Sequence, residues 1–167
     1  MGDDPSGAGL RSDSTIHASA VLVARSGLLI RGDSGAGKSQ LVLQLIAAAA
    51  EGRLAFARLV ADDRVFVTAA HGRLIARAPR ELAGLIEIRG LGIRRLPYEP
   101  AAVIRLVVDL AAAAERMPPA STTETEIAGV RLPRLAVAPG EDPFSLVFAS
   151  LTWGAAWPDA SSPGRAS

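Results

Sequence analysis

An α/β domain built around a phosphate-binding loop, and richer in β-structure than such domains usually are, is the fold class this sequence predicts. Three observations predict it. Gly32-Asp33-Ser34-Gly35-Ala36-Gly37-Lys38-Ser39 satisfies G-x-x-x-x-G-K-[ST] at every required position. An apolar run, Leu28-Leu29-Ile30, leads into it, and a stretch without Gly or Pro, Ser39 to about Ala50, leads out, giving strand, glycine turn and helix start. Short apolar runs broken by turn residues then recur through the chain, so strands and hairpins outnumber helices. A domain of strictly alternating strands and helices would not read this way.

Taken in order, residues 1–14 read as a polar, disordered leader that lacks the apolar core of a signal peptide. Residues 16–23 read as a strand, Arg25-Ser26-Gly27 as a tight turn, and 28–31 as its hairpin partner. The helix from Ser39 to Ala50 is apolar nearly all round, which predicts packing on more than one side, with Gly52 at its C-terminal cap. Leu59-Val60-Ala61 is a short strand ending in Asp62-Asp63. Residues 65–67 and 74–76 flank Ala70-His71-Gly72 as a hairpin, and His71 is a plain turn residue. Residues 85–93 read as a strand running into a glycine-containing loop, and 103–108 as the most strand-like segment, rich in β-branched residues. Residues 111–124 read as a mobile loop, 126–130 and 134–137 as strands separated near Pro133, and 143–151 as a last helix. The Pro/Ser/Gly-rich end reads as disordered, so the predicted domain spans 15–152 with tails at 1–14 and 153–167.

Composition narrows the function. The 167 residues are 49% hydrophobic but only 4% aromatic, which predicts an aliphatic core and little base stacking. A formal net charge of +1 gives no argument for nucleic acid or an anionic membrane, and no apolar stretch is long enough to span one. The absence of cysteine excludes disulfides and thiolate chemistry and agrees with a cytoplasmic setting.

The loop carries the chemistry. Its glycines let successive N–H groups turn inward onto phosphate oxygens beside the positive end of the helix dipole. Lys38 can reach the β- and γ-phosphates, and the Ser39 hydroxyl can sit on Mg²⁺. The nucleotide-binding set is therefore Gly32, Asp33, Ser34, Gly35, Ala36, Gly37, Lys38 and Ser39. Asp62, ending a strand downstream of the loop, stands where such folds place a carboxylate towards the metal. Asp63 can share the site only if the strand stops there, because successive strand residues face opposite sides.

Ile16-His17, the phosphate loop, Leu59-Val60-Ala61-Asp62-Asp63 and Glu87-Ile88-Arg89-Gly90-Leu91-Gly92-Ile93 together resemble the catalytic domain of HPr kinase/phosphorylase over roughly residues 15–137, the last segment most specifically. The resemblance implies a fold of the HPr kinase and phosphoenolpyruvate carboxykinase type, in a short form without the family's N-terminal domain. It implies a Mg²⁺-dependent enzyme that phosphorylates a serine of the phosphocarrier protein HPr from ATP or pyrophosphate, and that removes the phosphate by phosphorolysis. Under it, His17 lies close to the catalytic aspartate, Asp62 accepts and returns the serine proton, and Asp63 is its partner. Glu87 joins Ser39 as a Mg²⁺ ligand, and Arg116 matches an arginine of the mobile loop that steadies the transferring phosphoryl group. A homo-oligomer, a hexamer in the family, is implied as well. Two departures stand out: a long link over residues 51–58, and Glu141-Asp142 where the family tends to carry a basic residue. The rival readings are a phosphate-loop kinase of a small molecule and a non-catalytic nucleotide-binding regulator.

Overall fold

In the computed structural model, residues 14–112 and 123–153 are described. Among them, ten strands and two helices run in the order β1 (Ser14–Val23), β2 (Ser26–Arg31), α1 (Lys38–Ala50), β3 (Ala57–Ala61), β4 (Arg64–Ala70), β5 (Arg73–Arg77), β6 (Leu85–Ile88), β7 (Gly92–Arg95), β8 (Ala102–Leu110), β9 (Glu124–Ile127), β10 (Val130–Val137) and α2 (Pro143–Trp153). A 3₁₀ turn, Arg80–Leu82, precedes β6. The predicted β-rich α/β architecture is what the chain forms.

The main sheet follows the order β2-β1-β4-β5-β8-β10-β9, with β3 alongside β1. It also closes on itself, because β2 pairs in parallel with β8 through Leu28↔Leu106 to Arg31↔Asp109. Closure buries both faces of the strands it joins. On β2, Leu29 points to an inner cluster with Ala18, Ala20, Val60, Val65, Leu74, Ile104 and Val107. Leu28 and Ile30 point the other way, to a second cluster with Val21, Leu41, Val42, Leu45, Leu59, Val108 and Val147 under the helices. Period-two alternation in β2 thus serves two cores at once, which explains a run apolar at every position. Each fully buried aliphatic side chain contributes about 1.5–3 kcal/mol of transfer free energy.

Helix α1 buries Leu41, Val42, Leu45 and Ala48 against the sheet. Its C-terminus closes as a Schellman motif: Arg53 N–H donates to Ala48 C=O (2.8 Å) and Gly52 N–H to Ala49 C=O (3.0 Å). Gly52, at φ +75°, supplies the left-handed residue that the motif needs, as the sequence predicted. Helix α2 is capped by Asp142, whose carboxylate accepts from the Phe144 and Ser145 main-chain N–H groups, both at 3.2 Å.

The strand predicted at the start of 85–93 does run into its glycine loop: β6 ends at Ile88, Leu91 N–H turns back to Ile88 C=O (2.9 Å), and the chain returns as β7 to form a separate two-stranded sheet. One expectation is corrected. Pro133 does not separate two strands. The turn is Ala128–Gly129, both at positive φ, and β10 runs through Pro133. The proline is tolerated where β10 changes partner, from antiparallel β9 up to residue 133 to parallel β8 from residue 134. Strand β1 starts at Ser14 and α2 ends at Trp153, which trims each predicted tail by one residue. The rest of the leader and tail, and the stretch of the predicted mobile loop that holds Arg116, lie outside the described residues.

Candidate active site

Three strand ends and one helix start meet at a cavity of about 770 Å³. Lining it are His17 and Ser19 from β1, Ser34, Gly35, Gly37, Lys38 and Ser39 from the loop, Asp62 and Asp63 after β3, and Glu87, Ile88, Arg89, Gly90 and Gly92 from the β6–β7 hairpin. Every predicted site residue outside the loop that falls among the described residues, namely His17, Asp62, Asp63 and Glu87, borders this one space.

The loop is folded for anions. Gly35 and Gly37 sit at φ +82° and +96°, conformations that turn main-chain N–H groups inward ahead of the α1 N-terminus. Ala36 N–H donates to Asp33 C=O (3.0 Å) and holds the turn. Gly32, at φ +153°, sits in a tight space: a Cβ there would stand 3.0 Å from Ala36 Cβ and 3.2 Å from Leu110 Cβ. Lys38, largely buried, donates from Nζ to the carbonyls of Gly32 (2.8 Å) and Asp33 (2.9 Å).

Lys38 Nζ also stands 3.2 Å from His17 Nε2. An ammonium has no lone pair, so Nε2 must accept, and the ring hydrogen is left on Nδ1. Nδ1 lies 3.2 Å from both the main-chain and side-chain oxygens of Asp63. Asp63, His17 and Lys38 thus form a chain in which the histidine touches Asp63, not Asp62. The question of how both aspartates reach one site is answered by the backbone. Strand β3 stops at Ala61, and Asp63 takes φ +66°, a left-handed turn that Asp tolerates better than most residues.

Asp62 is held differently. Its Oδ1 accepts from the hydroxyls of Ser39 and Ser19, each at 2.7 Å, and its Oδ2 from the Glu87 N–H at 3.3 Å. All three donors are neutral, and Asp62 is only 7% exposed. Neutral donors thus fix the orientation of this buried carboxylate next to the loop serine. Ser19, fully buried, is the site residue that sequence reasoning missed. It stands two positions after His17 on the same strand face, but a small polar residue in an otherwise apolar strand carries no signal of its own towards Asp62.

Ser39, Asp62 and Glu87 bring oxygen donors to this cavity, the donor type that suits Mg²⁺. Among the described residues no three His, Cys, Asp or Glu side chains form a metal cage. A Mg²⁺ carried on substrate phosphates uses only one or two protein carboxylates, so the donor set fits.

A model of the HPr Serine kinase C-terminal domain matches residues 9–150. The chain belongs to that family. It is 42% identical over 84 residues to the HPr kinase/phosphorylase of Clostridium beijerinckii, a stretch covering 50% of this chain and 26% of that protein. Against the HPr kinase/phosphorylase of Clostridium tetani the figures are 41% over 88 residues, 53% and 27%. The matched stretch therefore spans about a quarter of the length of these relatives. The solved structure of the Hpr(Ser) kinase/phosphatase from Coxiella burnetii superposes with a TM-score of 0.67 at 25% identity, covering 83% of this chain and 93% of that one. Among the described residues no helix is long and apolar enough to cross a membrane.

Proposed function

We propose that this chain is a Mg²⁺-dependent kinase that transfers a phosphoryl group from ATP to a serine of the protein HPr, and that reverses the transfer by phosphorolysis. The observation that carries the reading is Asp62, hydrogen-bonded to Ser39 of the phosphate loop and bordering the same cavity as Lys38. Loop amides and Lys38 bind and orient the polyphosphate, and positioning with charge neutralisation supplies most of the rate. Asp62 accepts the proton of the serine hydroxyl as its oxygen bonds to the γ-phosphorus and the bond to the departing ADP oxygen breaks. In the reverse direction a phosphate oxygen attacks the phosphoserine phosphorus, pyrophosphate forms, and Asp62 returns the proton to the serine oxygen. Ser39 and Glu87 are the residues to hold Mg²⁺, which neutralises phosphate charge when bound. His17 and Asp63 hold Lys38 in place.

Pyrophosphate as an alternative donor, a cytoplasmic setting, assembly as a homo-oligomer of hexameric type, and a phosphoryl-steadying role for Arg116 belong to the same proposal and rest on the family. Family membership and the protein substrate in its relatives' names favour this reading over a small-molecule kinase or a non-catalytic regulator. Incubation with labelled ATP, Mg²⁺ and HPr tests it: label enters HPr with the wild type, and is lost with Lys38→Ala and with Asp62→Asn, the latter still binding ATP. Full transfer by Asp62→Asn would remove that residue from the proton role, and absence of transfer by the wild type would overturn the reading.

A further inference from the structure

On the far side of the phosphate loop, away from Asp62, a second carboxylate stands at a strand end. Asp109, in β8, is the register partner of Arg31 in the parallel β2–β8 pair. Arg31 grips it with two parallel bonds, Nε to Oδ1 at 2.6 Å and Nη2 to Oδ2 at 2.8 Å. Arg134 of β10 adds a third, Nε to Oδ2 at 2.5 Å. Such fork-on-carboxylate contacts are the strongest and most directional that side chains make. Arg31 also reaches Thr125 of β9 at 3.5 Å.

The cluster has a definite relation to the loop. Arg31 is the residue before Gly32, whose carbonyl takes the Lys38 ammonium. Leu110, the residue after Asp109, walls Gly32, with its Cβ 3.2 Å and its carbonyl oxygen 3.3 Å from where a Gly32 Cβ would stand. Two consecutive residues of β8 therefore fix two consecutive residues at the loop entry. β8 is itself tied to β10 through Arg134↔Val107 to Val137↔Leu110.

We infer that Asp109 is a positioning residue for polyphosphate binding: by clamping Arg31 it fixes the Gly32 carbonyl, the Lys38 ammonium and the start of the amide ring. This rests on the reading of residues 32–39 as the polyphosphate site. Asp109 touches no phosphate in this arrangement and acts only through Arg31. A shift of the loop entry by an ångström is enough to cost on the order of 10²-fold in a phosphoryl-transfer site.

The test uses the full 167-residue chain and two probes, Mg²⁺-ATP and inorganic pyrophosphate. Pyrophosphate isolates the loop from contacts to base and sugar. Binding is titrated for the wild type, Asp109→Asn, Arg31→Lys and Arg134→Lys, with thermal melting and hydrogen exchange over residues 32–39 measured on the same samples. The two lysine variants keep every charge, so they remain informative should Asp109→Asn fail to fold. The expected order of weakening is Asp109→Asn (about tenfold or more for both probes), then Arg31→Lys, then Arg134→Lys at under about threefold. In turnover with ATP, kcat/KM falls by at least the factor lost in binding. Exchange over 32–39 accelerates while residues 41–48 of α1 keep their protection. Affinities that merely follow the melting temperatures, or Arg134→Lys weakening binding as much as Arg31→Lys, would overturn the clamp and assign the cluster to stability alone. Wild-type protein that binds neither probe would overturn the polyphosphate reading and the clamp with it, whereas wild-type binding that Asp109→Asn and Arg31→Lys both retain in full overturns the clamp alone.

Discussion

Asp62 and Asp109 are both aspartates at the end of a strand beside the phosphate loop, yet their surroundings are opposite. Asp62 meets two hydroxyls and one amide N–H, and among the described residues no cationic side chain pairs with it. Asp109 meets two guanidiniums and, among the described residues, no hydroxyl. Burial would raise the Asp109 pKa, but the hydrogen bonds and charges of Arg31 and Arg134 outweigh it and hold the carboxyl below its usual range. The lesson is that two aspartates in like positions can be fixed in two ways, one by neutral donors and the other by a pair of guanidiniums.

The largest expected effect breaks the comparison on the Asp62 side. Asp62→Asn keeps the shape and loses the proton acceptor, so phosphoryl transfer to HPr is expected to fall about 10²–10⁴-fold with ATP affinity preserved. A labelled-phosphate assay beside an ATP titration reads both. On the other side, Asp109→Asn removes the charged acceptor that the Arg31 and Arg134 guanidiniums share at a half-buried position. Denaturant unfolding is expected to record a loss of about 1–3 kcal/mol at neutral pH.

That loss carries a pH signature. The folded-state pKa of Asp109 lies below its unfolded value, so its stabilisation is complete above the unfolded value and disappears as pH falls through the folded one. The stability gap between wild type and Asp109→Asn is therefore constant from neutrality down to about pH 5 and narrows below about pH 4. A gap that widened on acidification would contradict the pairing.

Ser19→Ala sharpens the Asp62 half. It removes one of two hydroxyls on Oδ1 and leaves Ser39 and the Glu87 amide, so transfer is expected to drop about tenfold, or ~1.4 kcal/mol in transition-state binding. Steady-state kinetics with kcat and KM separated would check it. The smallest effect belongs to Arg134→Lys, which keeps the charge and loses directionality, with an expected stability change under about 1 kcal/mol by thermal melting.

Legibility follows sequence separation. The phosphate loop is eight contiguous residues whose chemistry is main-chain amides plus one lysine and one hydroxyl, so no distant partner is needed to read it. The α1 cap is equally local, set by Gly52 within the motif. The place of Asp62 beside the loop was legible because a short apolar run ending in Asp marks a strand that stops there. Of hairpin β6–β7 the first strand and the glycine loop were legible, but the returning strand Gly92–Arg95 was not, because an exposed four-residue strand with two arginines carries no apolar alternation. Pro133 was misread as a break because a strand that changes neighbour half-way can spare the missing N–H. Ser19 is bonded to a residue 43 positions away and Arg31 to one 78 away, and no local period encodes such pairs.

The sequence by itself determined the glycine turn, the helix behind it and the aspartate pair at a strand end, because each depends on residues adjacent along the backbone. Tertiary structure alone decided that the sheet closes through β2 and β8, that His17 rests on Asp63 and Lys38, and that two otherwise similar aspartates acquire different neighbours. The physical reason is that a carboxylate's behaviour is set by the charges and donors within a few ångströms of it, and those arrive from strands far apart in the chain.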